Sequence, residues 1–247
     1  MSTLVAKLRL VFYTGPLMLL VTAGAGALWL LASLFDSSGR SQHSVVRSWS
    51  RMLLGIARVR VAVEGREKIA PGGSYVFAAN HRSYFDAPCI LAQIPVQFRF
   101  LANRSLFRIP FFGCHLRRAG HLPVNRSTVR ESLKSMSAAA EVIQEHGISV
   151  LLFPEGGRTS GELRPLTDEA AYLAIKAGVP IVPVSLLGAR EILPPGSALV
   201  RGGRVRMRIG EPVPTLDLSL RDRSELSRRL RESIAETHQP AEAVRTV

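Results

Sequence analysis

Two cysteines in 247 residues exclude a small secreted fold stapled by disulfides. Carboxylates are scarce as well. Nineteen Asp and Glu stand against 32 Lys and Arg, a net charge of +13, so the partners to expect are polyanions: nucleic acid, an anionic membrane, or phosphorylated or CoA-type substrates. Only four of the 32 are lysines, at positions 7, 68, 134 and 176; the remaining cations are arginine forks, which suit phosphate. There is no internal repeat and no low-complexity segment. Ser83 and Ser160 lack the Gly-x-Ser-x-Gly setting of a hydrolase nucleophile elbow. The Gly156-Gly157 pair has neither the spacing nor the Lys-Ser/Thr of a P-loop. No recognisable nucleic-acid reader module is present, which counts against a nucleic-acid binder despite the charge. What is abundant is apolar surface, 47% of residues, which excludes wholesale disorder. At roughly 150 residues per domain, the length fits one large domain or one domain with an appendage.

The appendage is at the N-terminus. Leu10 to Phe35 is a run of 26 residues without a charge, about 39 Å as a helix against a hydrocarbon core of roughly 30 Å. It is too long for the apolar region of a cleaved signal peptide, although Ala23, Ala25 and Ala27 offer small-residue cleavage sites. The expectation is a membrane helix, or a helical hairpin in one leaflet if Gly15-Pro16 or Gly24-Ala25-Gly26 breaks the run. The alternative is a buried helix of a soluble protein. Residues 1–54 are therefore assigned to a membrane-anchoring segment and 55–247 to a second, α/β domain.

Beyond Gly55 the pattern alternates between strands and helices. Strands are expected over Arg58–Glu64, Ser74–Ala79, Phe98–Leu101, His121–Val124, Ser149–Phe153, Ile181–Leu187 and Arg204–Ile209. Helices are expected over Asp86–Gln93, Thr128–Glu145, Glu169–Ala177 and Ser219–Glu236, with Ser127 as an N-cap and Gly147 and Gly178 as stops. The residues from Pro240 read as a loose tail. This alternation predicts a layered α/β fold.

Two loops carry chemistry. In the first, His81 follows an apolar strand and Asp86 opens a helix, at the strand end where open α/β sheets place their sites. Histidine suits a general base at neutral pH. On one continuous helix, residues five apart would not share a face. The pair therefore works only with His81 in the loop and Asp86 at the helix start, where Asp is favoured. Asp86 would then fix the imidazole tautomer; the alternative is a capping Asp beside an incidental His. In the second loop, Phe153-Pro-Glu-Gly-Gly-Arg158, adjacent glycines permit a nest of N–H groups facing an anion, and Arg158 adds a fork. Glu155 would orient Arg158 or hold a substrate hydroxyl; the alternative is a turn with a surface ion pair.

Taken in order, Asn80-His81 with Asp86, Leu106-Phe-Arg-Ile-Pro-Phe-Phe-Gly113 with Arg126 beyond it, Phe153-Pro-Glu-Gly with Arg158, and Val179-Pro-Ile-Val-Pro-Val184 resemble four blocks of the glycerolipid acyltransferase family. The likeness covers roughly 74–188, with a trailing match at Gly210-Glu-Pro-Val. The resemblance implies a mixed central sheet flanked by helices and an O-acyltransferase. Its acyl group comes from acyl-CoA or an acyl carrier protein and passes to the sn-2 hydroxyl of lysophosphatidic acid, making phosphatidic acid. It implies His81 as base, oriented by Asp86, with no acyl-enzyme. Asn80 and Glu155, Gly156 and Arg158 are implied at the substrate, with Arg126 as a second phosphate fork, and the strand holding Pro183 shaping the acyl pocket. No metal or organic cofactor is implied. Because both thioester donors are cytoplasmic, the catalytic domain is expected to face the cytoplasm on the inner membrane.

The sequence departs from the family at three places: Asn103 stands for a usual Lys, Gly157 for a Thr, and Thr167-Asp168-Glu169 for a Lys-x-Gly stretch. These motivate a second reading, the same chemistry on another lysolipid. An inactive membrane scaffold is a further alternative. Cys114, His115 and His121 have irregular spacing for zinc, and Cys89 and Cys114 read as small core residues. Phe107, Ile109, Phe111 and Phe112 form an apolar cluster suited to the core or to a membrane-docking surface. Arg204, Arg206 and Arg208 lie on one strand face, where they would meet acidic headgroups or water.

Overall fold

The computed structural model describes residues 7–36, 38–110, 112–158 and 163–236; the readings made for Phe111, Ser160 and the tail from Pro240 lie outside these. A π-helical turn, Leu10–Thr14, leads without interruption into α1 (Gly15–Phe35). The break considered at Gly15-Pro16 does not occur. Pro16 lies inside the continuous helix, where it lacks one helical N–H; the wider turn just before it, which carries the Gly15 N–H to Leu10 O, is the local adjustment that admits it. Gly24 and Gly26 stay helical.

The hairpin is instead made with α2 (Arg40–Ala57), a helix the sequence reading did not anticipate. It runs back along α1. The Arg9 guanidinium donates to Ile56 O at 3.3 Å, and Trp49 Nε1 donates to Thr22 Oγ1 at 3.0 Å. The division expected between residues 54 and 55 falls inside α2, whose Leu54 and Ala57 pack into the core of the sheet.

The remaining elements are β1 (Val59–Glu64), β2 (Val76–Ala79), α3 (Asp86–Gln93), β3 (Phe98–Asn103), α4 (Phe112–Arg118), β4 (Leu122–Val124), α5 (Val129–His146), β5 (Ser149–Leu152), α6 (Glu169–Ala177), β6 (Ile181–Leu187), α7 (Ala189–Ile192), β7 (Gly203–Ile209) and α8 (Arg223–Glu236). The cap of α5 is Thr128, not Ser127: Thr128 Oγ1 accepts from Glu131 N, while Ser127 N donates to Asn125 Oδ1.

The sheet is mixed, as expected, in the order β1-β7-β6-β2-β5-β3-β4. All neighbours are parallel except β6 and β7. Central β2 and, but for Ser149, β5 are apolar, and both are buried on both faces, the pattern of parallel strands covered on each side. One face presents Phe77, Ala79, Phe98, Leu151 and Val184 to α2 and α3; the other presents Val76, Ala78, Val150, Leu152 and Ile181 to α5, α6 and α8. Neighbouring β2 and β5 point the same way, so the loops leaving them, 80–85 and 153–158, meet at one edge of the sheet.

Candidate active site

Asp86 builds the first loop. Its Oδ2 accepts from Arg82 N at 2.6 Å, Ser83 N at 2.7 Å and His81 Nδ1 at 2.8 Å. Two backbone donors curl the chain around the carboxylate, and the curl lets residues five apart meet. Asp86 is fully buried; its Oδ1 has no hydrogen-bond partner among the described residues. Ser83 closes the turn by accepting from Phe85 N and donating to Leu193 O at 2.8 Å.

The His81 ring stacks on Phe153 from the β5 loop, with centroids 3.9 Å apart and planes 14° from parallel. With Nδ1 bonded to a carboxylate, the neutral imidazole keeps its proton there and carries its lone pair on Nε2. Nε2 has no hydrogen-bond partner among the described residues. No serine, threonine or cysteine among them is bonded to it either, so the dyad has no nucleophile of its own to activate.

The second loop supplies support and charge. Glu155 is buried and takes His81 N on Oε1 at 2.7 Å and Arg164 N on Oε2 at 3.3 Å. It is thus turned toward main-chain donors and fixes the backbone of the base. Gly156, with φ of +75°, makes a turn that an L side chain would strain. Gly157 is under no such constraint, with no atom within 4 Å of a Cβ placed there. Arg158 lies across the first loop. Its Nε donates to Ser83 O at 3.3 Å, its guanidinium sits 4.1 Å above the Tyr84 ring, and it is exposed. The loop therefore holds a cation beside His81, with N–H groups left to meet an anion.

Three residues expected at the substrate have other partners or face another way. Asn80 is fully buried, and its side chain pairs both ways with the Leu186 backbone, at 2.9 and 2.7 Å; it acts as a rung between β2 and β6. Pro183 faces the opposite side of the sheet and lines a cavity of about 330 Å³ under α8. Its carbonyl accepts from Gly210 N, just past the end of β7, so its missing N–H falls where pairing stops. Arg126 is committed to Glu169, with contacts of 3.0, 2.9 and 2.6 Å, and Ser132 Oγ donates to the same carboxylate at 2.6 Å. Burial raises the Glu169 pKa, but the Arg126 and Ser132 hydrogen bonds outweigh it and hold the carboxyl below its usual range.

The departures noted in the sequence have local partners. Asn103 caps the 3-10 turn of 104–108 by accepting from Ser105 N at 2.9 Å. Thr167 donates from both N and Oγ1 to Pro154 O in the second loop. The contacts of Phe153, Tyr84 and Glu169 were not foreseen: Phe153 was read only as part of its loop and Glu169 only as part of a departure, and Tyr84 gave no signal in sequence. The His115 ring lies 4.1 Å from that of Trp29 of α1, tilted by 52°, and His121 Nδ1 accepts from Phe100 N at 3.1 Å. Among the described residues no three His, Cys, Asp or Glu side chains cluster closely enough to hold a metal ion.

The acyltransferase family model matches residues 60–187, a span that includes both loops. A 1-acyl-sn-glycerol-3-phosphate acyltransferase of Chlamydomonas reinhardtii is 31% identical over 222 residues, 86% of this chain and 65% of the relative. A chloroplastic one of Brassica napus is 29% identical over 184 residues, 73% of this chain and 53% of its own. This chain thus spans between about half and two thirds of the length of these relatives. The crystal structure of the 1-acyl-sn-glycerophosphate (LPA) acyltransferase of Thermotoga maritima has the same fold, with a TM-score of 0.79 at 24% identity, covering 94% of this chain and 95% of that one. The match across more than half of its residues shows that the chain belongs to the acyltransferase family.

Proposed function

We propose that the protein is an O-acyltransferase that carries a fatty acyl group from a thioester donor to the hydroxyl of a lysophospholipid, with lysophosphatidic acid as acceptor. The observation that carries this is the His81–Asp86 pair with Nε2 open and no protein nucleophile bonded to it. The acceptor hydroxyl gives its proton to Nε2 as its oxygen attacks the thioester carbonyl. Asp86 stabilises the resulting imidazolium. When the tetrahedral intermediate collapses, the C–S bond breaks, and the departing thiolate takes the proton back from Nε2. Arg158 faces the acceptor phosphate, Gly156 shapes the turn that presents it, and Glu155 keeps His81 in register. The thioester, from CoA or a carrier protein, is a co-substrate, and no other cofactor enters these steps.

The length and composition of α1 support a membrane as the setting of this chemistry. The helical run Lys7–Phe35 is long and apolar enough to cross one. Yet α2 lies alongside it, carrying His43, Arg47 and Arg51, and Met18 and Trp29 pack on the body of the protein. A spanning α1 would draw these polar groups into hydrocarbon, at a cost of several kcal/mol. We therefore place α1 in one leaflet, with Leu19, Leu20, Leu31, Leu34 and Phe35, all exposed, in lipid. Ile109 and Phe112, also exposed, extend that surface, whereas Phe107 is buried in the core. The active site then opens to the cytoplasm, where thioester donors are found.

The Arg126–Glu169 pair favours a second reading, an acceptor with another headgroup, because it withdraws one of the two expected phosphate forks. The deciding experiment is acyl transfer from labelled palmitoyl-CoA by the detergent-solubilised protein, offered lysophosphatidic acid or other lysolipids separately. Conversion confined to lysophosphatidic acid is the expected outcome. Conversion of another lysolipid alone supports the second reading, and silence with every acceptor and donor overturns the activity.

A further inference from the structure

The outer edge of the sheet, β1 and β7, carries four arginines on one face. Arg60 lies directly opposite Arg204, and Arg206 and Arg208 continue along β7. All four are exposed, and none makes an ion pair or side-chain hydrogen bond among the described residues. Glu64, opposite Arg208, is the one carboxylate in the two strands. Like charges set directly across a strand pair destabilise it, so Arg60 and Arg204 repel across the pair, whereas Arg208 faces Glu64. At the upper end of the patch, Arg58, Arg60 and Arg204 line an open cleft of about 540 Å³.

The direction of this face decides what meets it. Val59, Val205, Met207 and Ile209 point into the core on the side of α1 and α2. The alternating arginines therefore point to the other side, away from the apolar surface of α1. A bilayer that receives α1 does not reach them, which favours a soluble polyanion over lipid headgroups. The spacing also matters. Alternate residues on a strand stand about 7 Å apart, close to the roughly 6 Å between carboxylates one turn apart on a helix. Three arginines in line over about 14 Å of strand match an acidic helix, a longer partner than one phosphate.

The patch lies at the active-site end of the sheet, on the face opposite the His81 ring, the face that also carries Pro183. Arg206 pairs with Leu187 at the end of β6, and Leu186 is bonded to Asn80, the neighbour of His81. β7 lies two strands from β2, or about 10 Å.

We propose that the arginine face of β1 and β7 docks an acidic helix of a soluble acyl carrier protein, the macromolecular form of the thioester donor, and so delivers its acyl arm around that end of the sheet to His81. This rests on the thioester-dependent transfer proposed above. The test compares the full-length protein with R204E/R206E and the milder R204Q/R206Q. It measures kcat/KM for palmitoyl-carrier protein and for palmitoyl-CoA at low and high salt, direct binding of carrier protein on a sensor surface, and pelleting with phosphatidylglycerol vesicles; a melting curve verifies folding. In R204E/R206E the carrier-protein value should fall about tenfold or more, with a smaller fall in R204Q/R206Q. The palmitoyl-CoA value and vesicle pelleting should be unchanged, and high salt should erase the difference between donors. Equal losses with both donors, loss of vesicle pelleting as the main effect, or a wild-type protein that does not bind carrier protein would each overturn the docking site. Salt-sensitive carrier binding through these arginines, without transfer from either donor, would leave docking standing and sink the transfer reaction. Transfer from palmitoyl-CoA without carrier binding would do the reverse.

Discussion

Asp86 Oδ2 performs two tasks, since it shapes the loop through the Arg82 and Ser83 N–H groups and fixes the imidazole of His81. Substitution separates them. Asp86→Asn keeps an oxygen for the backbone donors but removes the charge that stabilises an imidazolium. It should lower kcat by roughly 10³–10⁴ with little change in donor KM or melting temperature. His81→Ala should lose about 10² or more in kcat and remain folded. A folded His81→Ala protein with near wild-type turnover would sink the mechanism. The pairing of His81 with Asp86 was legible in sequence, because five residues fit a loop entering a helix and do not fit a helix face. The bond from His81 N to Glu155, 74 residues away, was not, because it depends on β2 and β5 being neighbours. Nor was the capture of Arg126 by Glu169: two chain segments, each read alone, give no sign that their charges cancel.

Among the elements, strands and helices with clean periodicity were predicted to within a few residues, and α3 and α6 have the limits expected. Three helices were missed, α2, α4 and α7. α2 sets Val46, Trp49, Leu53 and Ala57 in one apolar stripe against the sheet, so its period was legible and the reading passed over it. α4 and α7 have seven and four residues, too few for a 3.6-residue period to show. α1 presented the opposite problem: its composition was plain, but its route was set by the returning α2. The leaflet placement predicts that Leu20→Glu with Leu31→Glu, eleven residues apart on the exposed side of α1, weakens vesicle binding by on the order of 2–3 kcal/mol per carboxylate while the melting temperature in detergent holds. Undiminished pelleting with vesicles would assign the anchor to another surface.

For the molecule as a whole, two imidazoles tie stability to pH. Burial, with the nearby charges of Arg47 and Arg99, pushes His43 down to about 4. Burial, with Arg99, His115 and His43, pushes His121 down to about 3. In the unfolded chain both return toward 6.5 and take up protons first as pH falls. The stabilisation is therefore full above about pH 6.5 and is lost progressively toward pH 4 and 3, by at most about 2 kcal/mol per imidazole between pH 7 and 5. Thermal melts should show this decline. His121→Asn, whose amide oxygen can still accept from Phe100 N without titrating, should flatten it; an unchanged slope would exclude His121 as a source.

The strand order also sets when this protein can work. β1 lies at the sheet edge with β7 as its neighbour, and Val59 pairs with Gly203. During synthesis β1 must wait for more than a hundred further residues before it has a partner, while α1, made earlier, is already free to enter lipid. Contacts this distant in sequence form slowly and leave strand edges open in the interval. With α1 in one leaflet as proposed, the growing chain is tethered before it is competent, and the bilayer that holds α1 keeps an unfinished, sticky sheet apart from its neighbours until the last strand arrives.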